Sequence, residues 1–514
     1  LSGAGVEAEN RIGSTTAAQI LGSSTNINAT LVDVLAADTS VIEALAGAVA
    51  LSVAAGMVGV SGAIAASIAV NSISSATSAI VSRNAVSGAL GSVRATSGAI
   101  RVLANDDSTI KATAASVALS AGFGAGGIAV SGAGADSQNV ITTTTQVVVD
   151  AMSLSATNGI TLAASGAAVI EARVISAAAS MGVGAVGVGI SVGASLAHNS
   201  IGNGIGSGVL ASVTNATLAT TQGNISVGAV MSSGINALVE GFAVSVAGGA
   251  IGVAASGSGA SADNTIDYDV SATVTGSTVT ATAGALNVTA GDNSFIDATV
   301  RSASIAGAVG LGGAMAIAVS LANAALSNTI TARVRNSDVT AKTMTVSATD
   351  SATVNVVSSA SAISSSFGGA AMSGGGANAT IANANVTLAE VDGTVSDIIL
   401  TGLATVSAQS LAQLVAEVDV TSIAVGLFAL AAGGGTASIS TGGSVAARVS
   451  GVEMTAGSLS VSALSGISQR TTVWGMTVGA TAGAVGGAVL TGGSTIGTLG
   501  GAAIGGVIGN QVGK

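Results

Sequence analysis

Apolar and polar residues alternate along most of this chain in long runs, and residues 170–201 show the pattern most plainly. This segment reads IEARVISAAASMGVGAVGVGISVGASLAHNSI, two alternating runs of small residues on either side of a glycine-rich middle. Alternation with a period of two places one set of side chains on each face of a strand. The pattern therefore predicts two long strands joined by a glycine-rich connection.

The same pattern recurs about eight times along the chain. Each copy begins with an apolar residue in the motif S-x-I-x-A-x-V, at spacings of 68, 60, 65, 61, 58, 60 and 53 residues. Irregular spacing of this kind is typical of stacked repeats whose insertions lie in loops. The eight markers are Ile42, Ile110, Ile170, Ile235, Ile296, Val354, Leu414 and Ile467.

Two further motifs keep the same order in successive copies. An Asn-x-Ile motif closes the second long strand, and a glycine between two short alternating runs indicates a tight turn. In the strand that follows, Leu286 and Val288 should lie on one face and Asn287 on the other. The closing asparagines are Asn71, Asn139, Asn199, Asn264 and Asn328, and the turn glycines are Gly98, Gly159, Gly223 and Gly284.

About sixty residues per copy are too few for an independent domain and too many for one compact rung. We therefore predict an all-β protein, an elongated parallel β-solenoid in which each copy forms one wide coil or two ordinary coils. Equivalent strands of successive copies would stack about 4.8 Å apart. An antiparallel sandwich within each copy is the main alternative. The predicted parts are an N-terminal cap or incomplete repeat at 1–40, the β-solenoid array at 41–490 and a glycine-rich segment at 491–514.

The glycine-rich segment is compatible with two structures. Its glycines recur every fourth residue from Gly493 to Gly513, which places them on one face of a strand or in one stripe of a helix. A strand that continues the array is preferred, whereas a helix of this length could cross a bilayer. Membrane contact is therefore expected only through 493–513. Because the sequence starts at Leu1 rather than Met, we expect it to be a processed or excised part of a longer protein.

Composition supports strands that are paired on both sides around a thin core. The 514 residues include no proline, which cannot donate to a ladder and is excluded from central strands. With one Trp, one Tyr and five Phe, the core must be packed from small side chains. The absence of cysteine excludes disulfides and thiolate metal sites. The net charge of −11, with 13 scattered basic residues, argues against nucleic-acid binding.

Candidate catalytic residues are few. His198 is the only histidine, so a triad or histidine cluster cannot form, and a solvent-facing position is expected. Asp267 and Asp269 should lie on one side of a strand about 7 Å apart, as an acid–base pair could. A solvated face is preferred, on which Arg333 and Arg335 of the next copy form a register-fixing salt link with them. We therefore predict no enzyme activity and no catalytic, cofactor-binding or metal site.

Short polar clusters at the copy junctions are interpreted as turns, because Asp and Asn side chains bond to the backbone that follows them. Calcium is the alternative for these acids, but one or two carboxylates per site are few, and the GGxGxDxUx motif is absent. The threonines at 142–145 are likewise attributed to β-propensity rather than to ice binding. The clusters lie at 105–108, 291–294 and 349–351.

The motifs G-x-L/I-x-V-x-A, S-x-I-x-A-x-V and V-x-V-S-x-G-A-x-A-x-N-x-I resemble the β-strand repeats of very large secreted bacterial proteins. These are the filamentous-haemagglutinin-like and leukotoxin-like filamentous adhesins. The resemblance covers roughly residues 40–490, and the tail after Gly493 resembles the glycine-zipper segments of bacterial surface antigens. It implies an exported, repetitive β-solenoid at the cell surface and supplies no catalytic residues.

The expected function is that of an extracellular structural protein, a β-solenoid subunit of a surface filament, sheath or adhesin stalk. It would assemble by end-to-end or lateral β-stacking, because solenoid ends that stack head to tail generate open filaments. The expected partners are further copies of the chain, with the cell surface or glycans as additional candidates. The alternative is a surface-displayed module that recognises glycans or another surface, which predicts a concentrated aromatic or polar patch on one face.

Overall fold

The computed structural model describes residues 1–22, 25–83, 90–202, 207–394, 396–481 and 498–500. These residues form 32 strands, and no helix long and apolar enough to cross a membrane occurs among them. The strands are β1 (Ser2–Leu21), β2 (Asn26–Ala29), β3 (Val32–Ala55), β4 (Val58–Ser82), β5 (Gly91–Ala95), β6 (Ile100–Phe123), β7 (Gly126–Asp150), β8 (Met152–Ala156), β9 (Ile160–Val183), β10 (Val186–Gly202), β11 (Gly208–Thr214), β12 (Thr217–Thr220), β13 (Ile225–Gly248), β14 (Ile251–Asp267), β15 (Asp269–Thr275), β16 (Thr278–Asp292), β17 (Phe295–Val309), β18 (Gly313–Leu326), β19 (Thr329–Arg335), β20 (Asp338–Asp350), β21 (Thr353–Phe367), β22 (Ala370–Asn383), β23 (Val386–Asp392), β24 (Asp397–Leu400), β25 (Leu403–Ser410), β26 (Gln413–Gly426), β27 (Phe428–Thr441), β28 (Ser444–Ser450), β29 (Glu453–Thr455), β30 (Ser458–Ser465), β31 (Ser468–Thr481) and β32 (Thr498–Gly500).

The strands stack as eight wide coils of a parallel β-solenoid, as predicted. Each coil runs along one sheet (sheet A, 13 strands), returns along a second sheet (sheet B, 19 strands) and then begins the next coil. Neighbouring strands in both sheets are parallel, so the antiparallel sandwich is wrong, and each copy of the repeat forms one wide coil. Coils 1 to 8 begin at β1, β4, β7, β10, β14, β18, β22 and β27.

The register of the strands confirms seven of the eight repeat markers. Ile42 pairs with Ile110, and the register then continues marker by marker to Leu414. The eighth marker is wrong, because Leu414 pairs with Gln469 rather than with Ile467. Ile467 lies in the short connection before β31, so the last copy is two residues longer than its motif suggested.

Four of the five closing asparagines stack inside the solenoid. Along the ladder, the side-chain amide of each asparagine before Asn264 donates a hydrogen bond to the amide oxygen of the asparagine in the next coil, at 2.9 Å in every case. Asn264, the last of them, donates instead to the backbone carbonyl oxygen of Asn323 at 3.2 Å. The fifth, Asn328, is wrong as a member of this ladder, because Asn264 pairs with Ala324 and Asn328 follows the end of β18. The ladder consists of Asn10, Asn71, Asn139, Asn199 and Asn264.

The turn glycines also stack, with one exception. Gly98, Gly223 and Gly284 occupy equivalent positions, but in coil 3 the equivalent residue is Asn158, one position before Gly159. A Cβ added at Gly223 would collide with the carbonyl oxygen of Asn158, so this close stack requires glycine. The predicted turn is confirmed at Gly98 and Gly223, which lie in connections between strands. It is wrong at Gly284, which lies at an irregularity inside β16, and in coil 3 the predicted position is off by one residue.

Residues 1–40, which the sequence predicts as a cap or incomplete repeat, lie in β1, β2 and the start of β3. β1 pairs with β4, β2 with β5 and β3 with β6, in parallel like the later coils. The predictions for 491–514 fall outside the described residues, except at 498–500, where β32 pairs with β31.

Each coil has a thick part and a thin part. In the thick part, which we call the body, the sheets enclose Ile, Leu, Val and Met side chains, and Tyr268 is the largest fully buried residue. At the other end, where sheet B turns into sheet A, the inward positions hold only Ala, Ser and Gly. A Cβ added at Gly182 of sheet B would collide with the carbonyl oxygen of Val188 in sheet A, so the two backbones touch. We call this part the thin edge, and it comprises 49–66, 117–134, 177–194, 242–259, 303–319, 361–376 and 421–434.

Candidate functional site

The outer face of sheet B carries three neighbouring rows of side chains that run along the solenoid axis. They lie one, three and five residues after the apolar marker of each copy, and they point outward because they alternate with the inward marker residues. The first row is Glu43, Lys111, Glu171, Asn236, Asp297, Asn355, Val415 and Arg470; the second is Leu45, Thr113, Arg173, Leu238, Thr299, Val357, Glu417 and Thr472; the third is Gly47, Ala115, Ile175, Glu240, Arg301, Ser359, Asp419 and Trp474.

A depression of about 600 Å³ lies in these rows over coils 2 to 5. Its lining includes Lys111, Glu171, Arg173 and Asp297. Asp297 accepts a hydrogen bond from the Asn355 amide at 3.1 Å. The other three form no ion pair with the residues that the structure describes. Unpaired charges of both signs therefore stand side by side in a concave surface.

A second depression of about 520 Å³ continues the rows over coils 5 to 8. Here Arg470 forms an ion pair with Glu417 at 2.6 Å, and Arg301 lies 3.6 Å from Glu240. Trp474, the only tryptophan of the chain, lines the same depression and is 55% exposed. We call the two depressions together the groove. It offers hydrogen-bond donors, acceptors and one aromatic face, and its lining contains four acids and four bases, so it has no excess of positive charge that would favour a polyanion.

The predicted acid–base pair lies on the outside of the molecule. β14 ends at Asp267 and β15 begins at Asp269, and both side chains point outward while Tyr268 between them is buried. The Tyr268 hydroxyl and the Thr143 hydroxyl are hydrogen-bonded at 2.7 Å. Burial raises the pKa of Tyr268 to about 12, although the bond to Thr143 acts against it. Tyr268 is therefore part of the core, and Asp267 and Asp269 are carboxylates on the solvent-facing side of the strands.

The predicted salt link between these aspartates and the arginines of the next coil is wrong. Asp269 pairs with Thr329, so Arg333 lies four residues further along the strands. The predicted pairing used Asn328 as the equivalent of Asn264, but Asn328 lies four residues beyond the position that pairs with Asn264. Arg333 instead donates two hydrogen bonds to Asp392 of the following coil, at 2.9 and 2.8 Å, and these raise its pKa. Arg335 approaches the same carboxylate at 3.4 Å.

His198 lies on the outer face of β10 and has the solvent-facing position that the sequence predicts. Its side chain is 51% exposed, and its Nδ1 lies 3.4 Å from Oδ2 of Asp263 in the next coil. A lone imidazole beside one carboxylate is a surface contact between neighbouring coils.

One aspartate of each junction cluster points into the solenoid. Asp106 lies inside β6, so the turn predicted at 105–108 is wrong. Burial raises the pKa of Asp106, while hydroxyl groups of Ser75, Ser108 and Thr77 donate to its carboxyl group. The alternation of the strand continues through the cluster, which explains why Asp106 faces inward.

Asp292 and Asp350 end β16 and β20 and are also buried. Burial raises the pKa of Asp292 to about 6, against the hydrogen bonds that it accepts from Ser294 and Asn328. Asp350 accepts hydrogen bonds from Ser410 at 2.8 Å and from Asn385 at 3.2 Å. Hydroxyl and amide donors thus occupy these carboxyl groups. Among the described residues, no cluster of three or more acids or histidines could hold a metal ion.

The residues of the groove were not singled out in the sequence, although a signal for them was present. The repeat motif reads Ile-Lys-Ala-Thr-Ala at 110–114 and Ile-Glu-Ala-Arg-Val at 170–174, with charges at its variable positions. Those positions alternate with inward residues and therefore face outward. Aligning the copies by their markers would have collected these charges into rows.

Comparison with family models, curated proteins and solved structures finds no match to this chain. The resemblance to the filamentous adhesins therefore stays a sequence-based expectation.

Proposed function

We propose that the chain is an extracellular structural protein of a bacterial cell surface, a subunit of a filament or sheath or part of an adhesin stalk. The observation that carries this proposal is the parallel hydrogen-bond ladder, which continues through all eight coils in both sheets. Each strand of an inner coil is held on both sides, and stacked coils share their core with their neighbours. Such an array resists deformation along its axis, which is what a stalk or fibre requires.

The first coil supports end-to-end growth. β1, β2 and β3 each pair on one side only among the described residues. Asn10 donates to Asn71, and its own amide oxygen receives no amide from the described residues, so a preceding coil could continue the ladder. Eight coils extend only about 40 Å along the axis at about 4.8 Å per rung. A filament would therefore require further coils, from stacked copies or from a longer polypeptide.

Electron microscopy of the purified chain at neutral pH tests this proposal. We expect filaments that lengthen with protein concentration and give a reflection near 4.8 Å along the axis. The Asn10→Lys variant should shorten them, because it places a charge at the end of the asparagine ladder. Arg11→Lys, at the exposed neighbouring position, is the matched control. Isolated particles at every concentration that also bind no cells or surfaces would refute the proposal.

Location needs its own experiment. Immunogold labelling of intact cells that produce the protein in its natural context should place the label on the outer surface. Label that appears only after the cells are permeabilised would contradict the extracellular assignment.

A second candidate function, display of a glycan-binding surface, is favoured by the groove. Its mixed donors and acceptors and the exposed indole of Trp474 suit a neutral, hydroxyl-rich polymer that lies along the axis. Titration with neutral oligosaccharides should change the fluorescence of this single tryptophan. Arg173→Ala should weaken binding, whereas Lys342→Ala, on β20 outside the groove, should not. Equal binding by both variants would reject the groove as the site.

A further inference from the structure

Two neighbouring rows on the outer face of sheet A at the thin edge alternate between glycine and larger residues from one coil to the next. In the row that contains Ile64, glycine occupies coils 1, 3, 5 and 7, and the row two residues further along the strands alternates in the same phase through coil 7. The first row is Gly3, Ile64, Gly132, Val192, Gly257, Ile317, Gly374 and Ala432; the second is Gly5, Ala66, Gly134, Ala194, Gly259, Val319, Gly376 and Gly434.

This alternation makes the pair of rows corrugated, and we call these two rows the corrugated face. Ridges lie on coils 2, 4 and 6, where Ile64, Val192 and Ile317 are 67%, 53% and 45% exposed. Troughs lie on the odd-numbered coils, where a Cβ added at Gly132 or Gly257 would meet nothing within 4 Å. With rungs about 4.8 Å apart, the ridges recur about every 10 Å.

The trough on coil 7 forms a depression of about 310 Å³. Gly374, Gly376 and Gly434 line it, beside Ile317 and Val319 of the neighbouring ridge. All its lining residues are Gly, Ala, Val or Ile, so it is apolar throughout. A branched aliphatic side chain from another surface is the group that its chemistry favours.

A second copy of the chain carries the complementary surface. With a two-fold axis parallel to the strands, the two solenoid axes run in opposite directions, and coil 1 of one copy lies opposite coil 8 of the other. The ridges on coils 2, 4 and 6 then lie opposite the troughs on coils 7, 5 and 3. Ile64, the most exposed of the three ridge residues, lies opposite Gly374 and its depression. Such an interface is isologous and closed.

The size and charge of the face also suit such a pair. The corrugated face is part of the outer face of sheet A at the thin edge. This outer face extends about 25 Å along the strands and about 40 Å across eight coils, so it measures roughly 800–1,000 Å². A stable interface buries about 800 Å² on each partner. None of the thin-edge segments contains Asp, Glu, Lys, Arg or His, so pairing would desolvate no charged side chain. Uncharged apolar faces of this size are rare on monomers and mark interaction sites.

We infer that two copies of this chain pair through their corrugated faces, ridge into trough, as an antiparallel two-fold dimer. The dry, interdigitated contact between two sheet faces is physically that of a steric zipper, with pairs of coils as its repeat. The inference rests on sheet A alone and does not require the filament function. A dimer that forms no filaments would refute the filament and leave the pairing intact.

Cross-linking tests the register of the pair, because the natural chain contains no cysteine. The double variant Ile64→Cys with Gly374→Cys should form a covalent dimer on mild oxidation. Within one chain these positions are five rungs, about 24 Å, apart and cannot form a disulfide. The single variant Ile64→Cys measures collisional linkage and should remain largely uncross-linked. Equal yields from the single and double variants would overturn the proposed register.

Filling a trough tests the fit. We expect the unmodified chain to sediment as a dimer, and Gly257→Val, opposite Val192, to raise the dissociation constant roughly tenfold or more. Adding Val192→Gly to that variant exchanges ridge and trough and should restore the dimer. Gly291→Val, on the outer face of the body, is the control that should leave it unchanged. A chain that is monomeric at all concentrations, or a dimer indifferent to Gly257→Val, overturns the inference.

Discussion

The body and the thin edge have the same parallel ladder but opposite distributions of apolar groups. In the body, Ile, Leu and Val fill most of the interior, and charged side chains other than the buried junction aspartates stand mainly on the outside. At the thin edge, Ala, Ser and Gly fill the interior, and residues such as Leu51 and Ile64 are exposed at 62% and 67%. The comparison shows that one strand can continue through both environments, because the ladder is independent of side-chain size.

The two regions must therefore be stabilised differently. Burial of large apolar side chains stabilises the body, at about 25 cal/mol per Å² removed from water. The thin edge has little such area inside, and close backbone contact between its sheets supplies dispersion contacts instead. Serine hydroxyls bridge the sheets there, as between Ser256 and Ser304 at 2.7 Å. Added atoms inside the thin edge should therefore be costly, and deletions at the thin edge should cost less than deletions inside the body.

The largest expected effect is a deletion inside the body. Ile170→Ala removes a fully buried side chain from the markers that stack through the core, and it should lower the free energy of unfolding by about 2–5 kcal/mol. Leu51→Ala, on the outer face of sheet B at the thin edge, is the matched deletion and should cost far less. Guanidinium unfolding followed by circular dichroism measures both. Equal shifts of the two midpoints would contradict the division into two regions.

The next effect depends on pH and on the buried Asp292. Its folded-state pKa of about 6 lies above the unfolded value near 3.8, so the folded state binds the proton more tightly. The contribution of Asp292 to the free energy of unfolding is therefore most favourable below about pH 4. This contribution falls as the pH rises to about 6, and then levels off. A difference of about two pKa units corresponds to about 3 kcal/mol at most.

Asp292→Asn should remove the pH dependence that Asp292 contributes. Its amide oxygen can still accept from Ser294, but its amide N–H₂ replaces the oxygen that accepts from Asn328, so we expect no gain in the thermal midpoint at pH 7. The exposed Asp107→Asn should leave the slope between pH 4 and 6 unchanged. A natural chain whose midpoint rises over that pH range would show that the sign of this linkage is wrong.

A smaller effect is expected from adding one methyl group inside the thin edge. Gly182→Ala forces apart two backbones that touch, and it should cost about 1–3 kcal/mol. Gly291→Ala, on the outer face of the body, adds the same atom where nothing lies within 4 Å and should be neutral or slightly stabilising. The two unfolding midpoints measured side by side decide the matter. If the two variants have the same unfolding midpoint, the two sheets can separate at Gly182 without loss of stability, and the prediction is wrong.

The sequence allowed the body to be predicted better than its surface. The markers from Ile42 to Leu414 are inward residues in register in seven copies, so the stacking and the parallel register of those copies followed from them. Asn328 was misplaced because Asn-x-Ile also occurs four residues beyond the true ladder position. The groove and the corrugated face depend on residues about sixty positions apart. Which of these become neighbours is known only once the insertions in each coil have been located.

The partner of Arg333 shows the same limit and provides the smallest expected effect. Its carboxylate partner Asp392 lies 59 residues further along the chain, and the pair is two-thirds or more buried from solvent. Arg333→Gln should cost about 0.5–1 kcal/mol at low salt, and the difference should shrink in high salt, because screening weakens such pairs. Arg94→Gln, an exposed arginine on β5, is the control. The thin edge contains no charged residue, so the free energy of unfolding should respond to salt only through substitutions in the body. If the loss caused by Arg333→Gln is the same at low and high salt, its cause is packing rather than the ion pair.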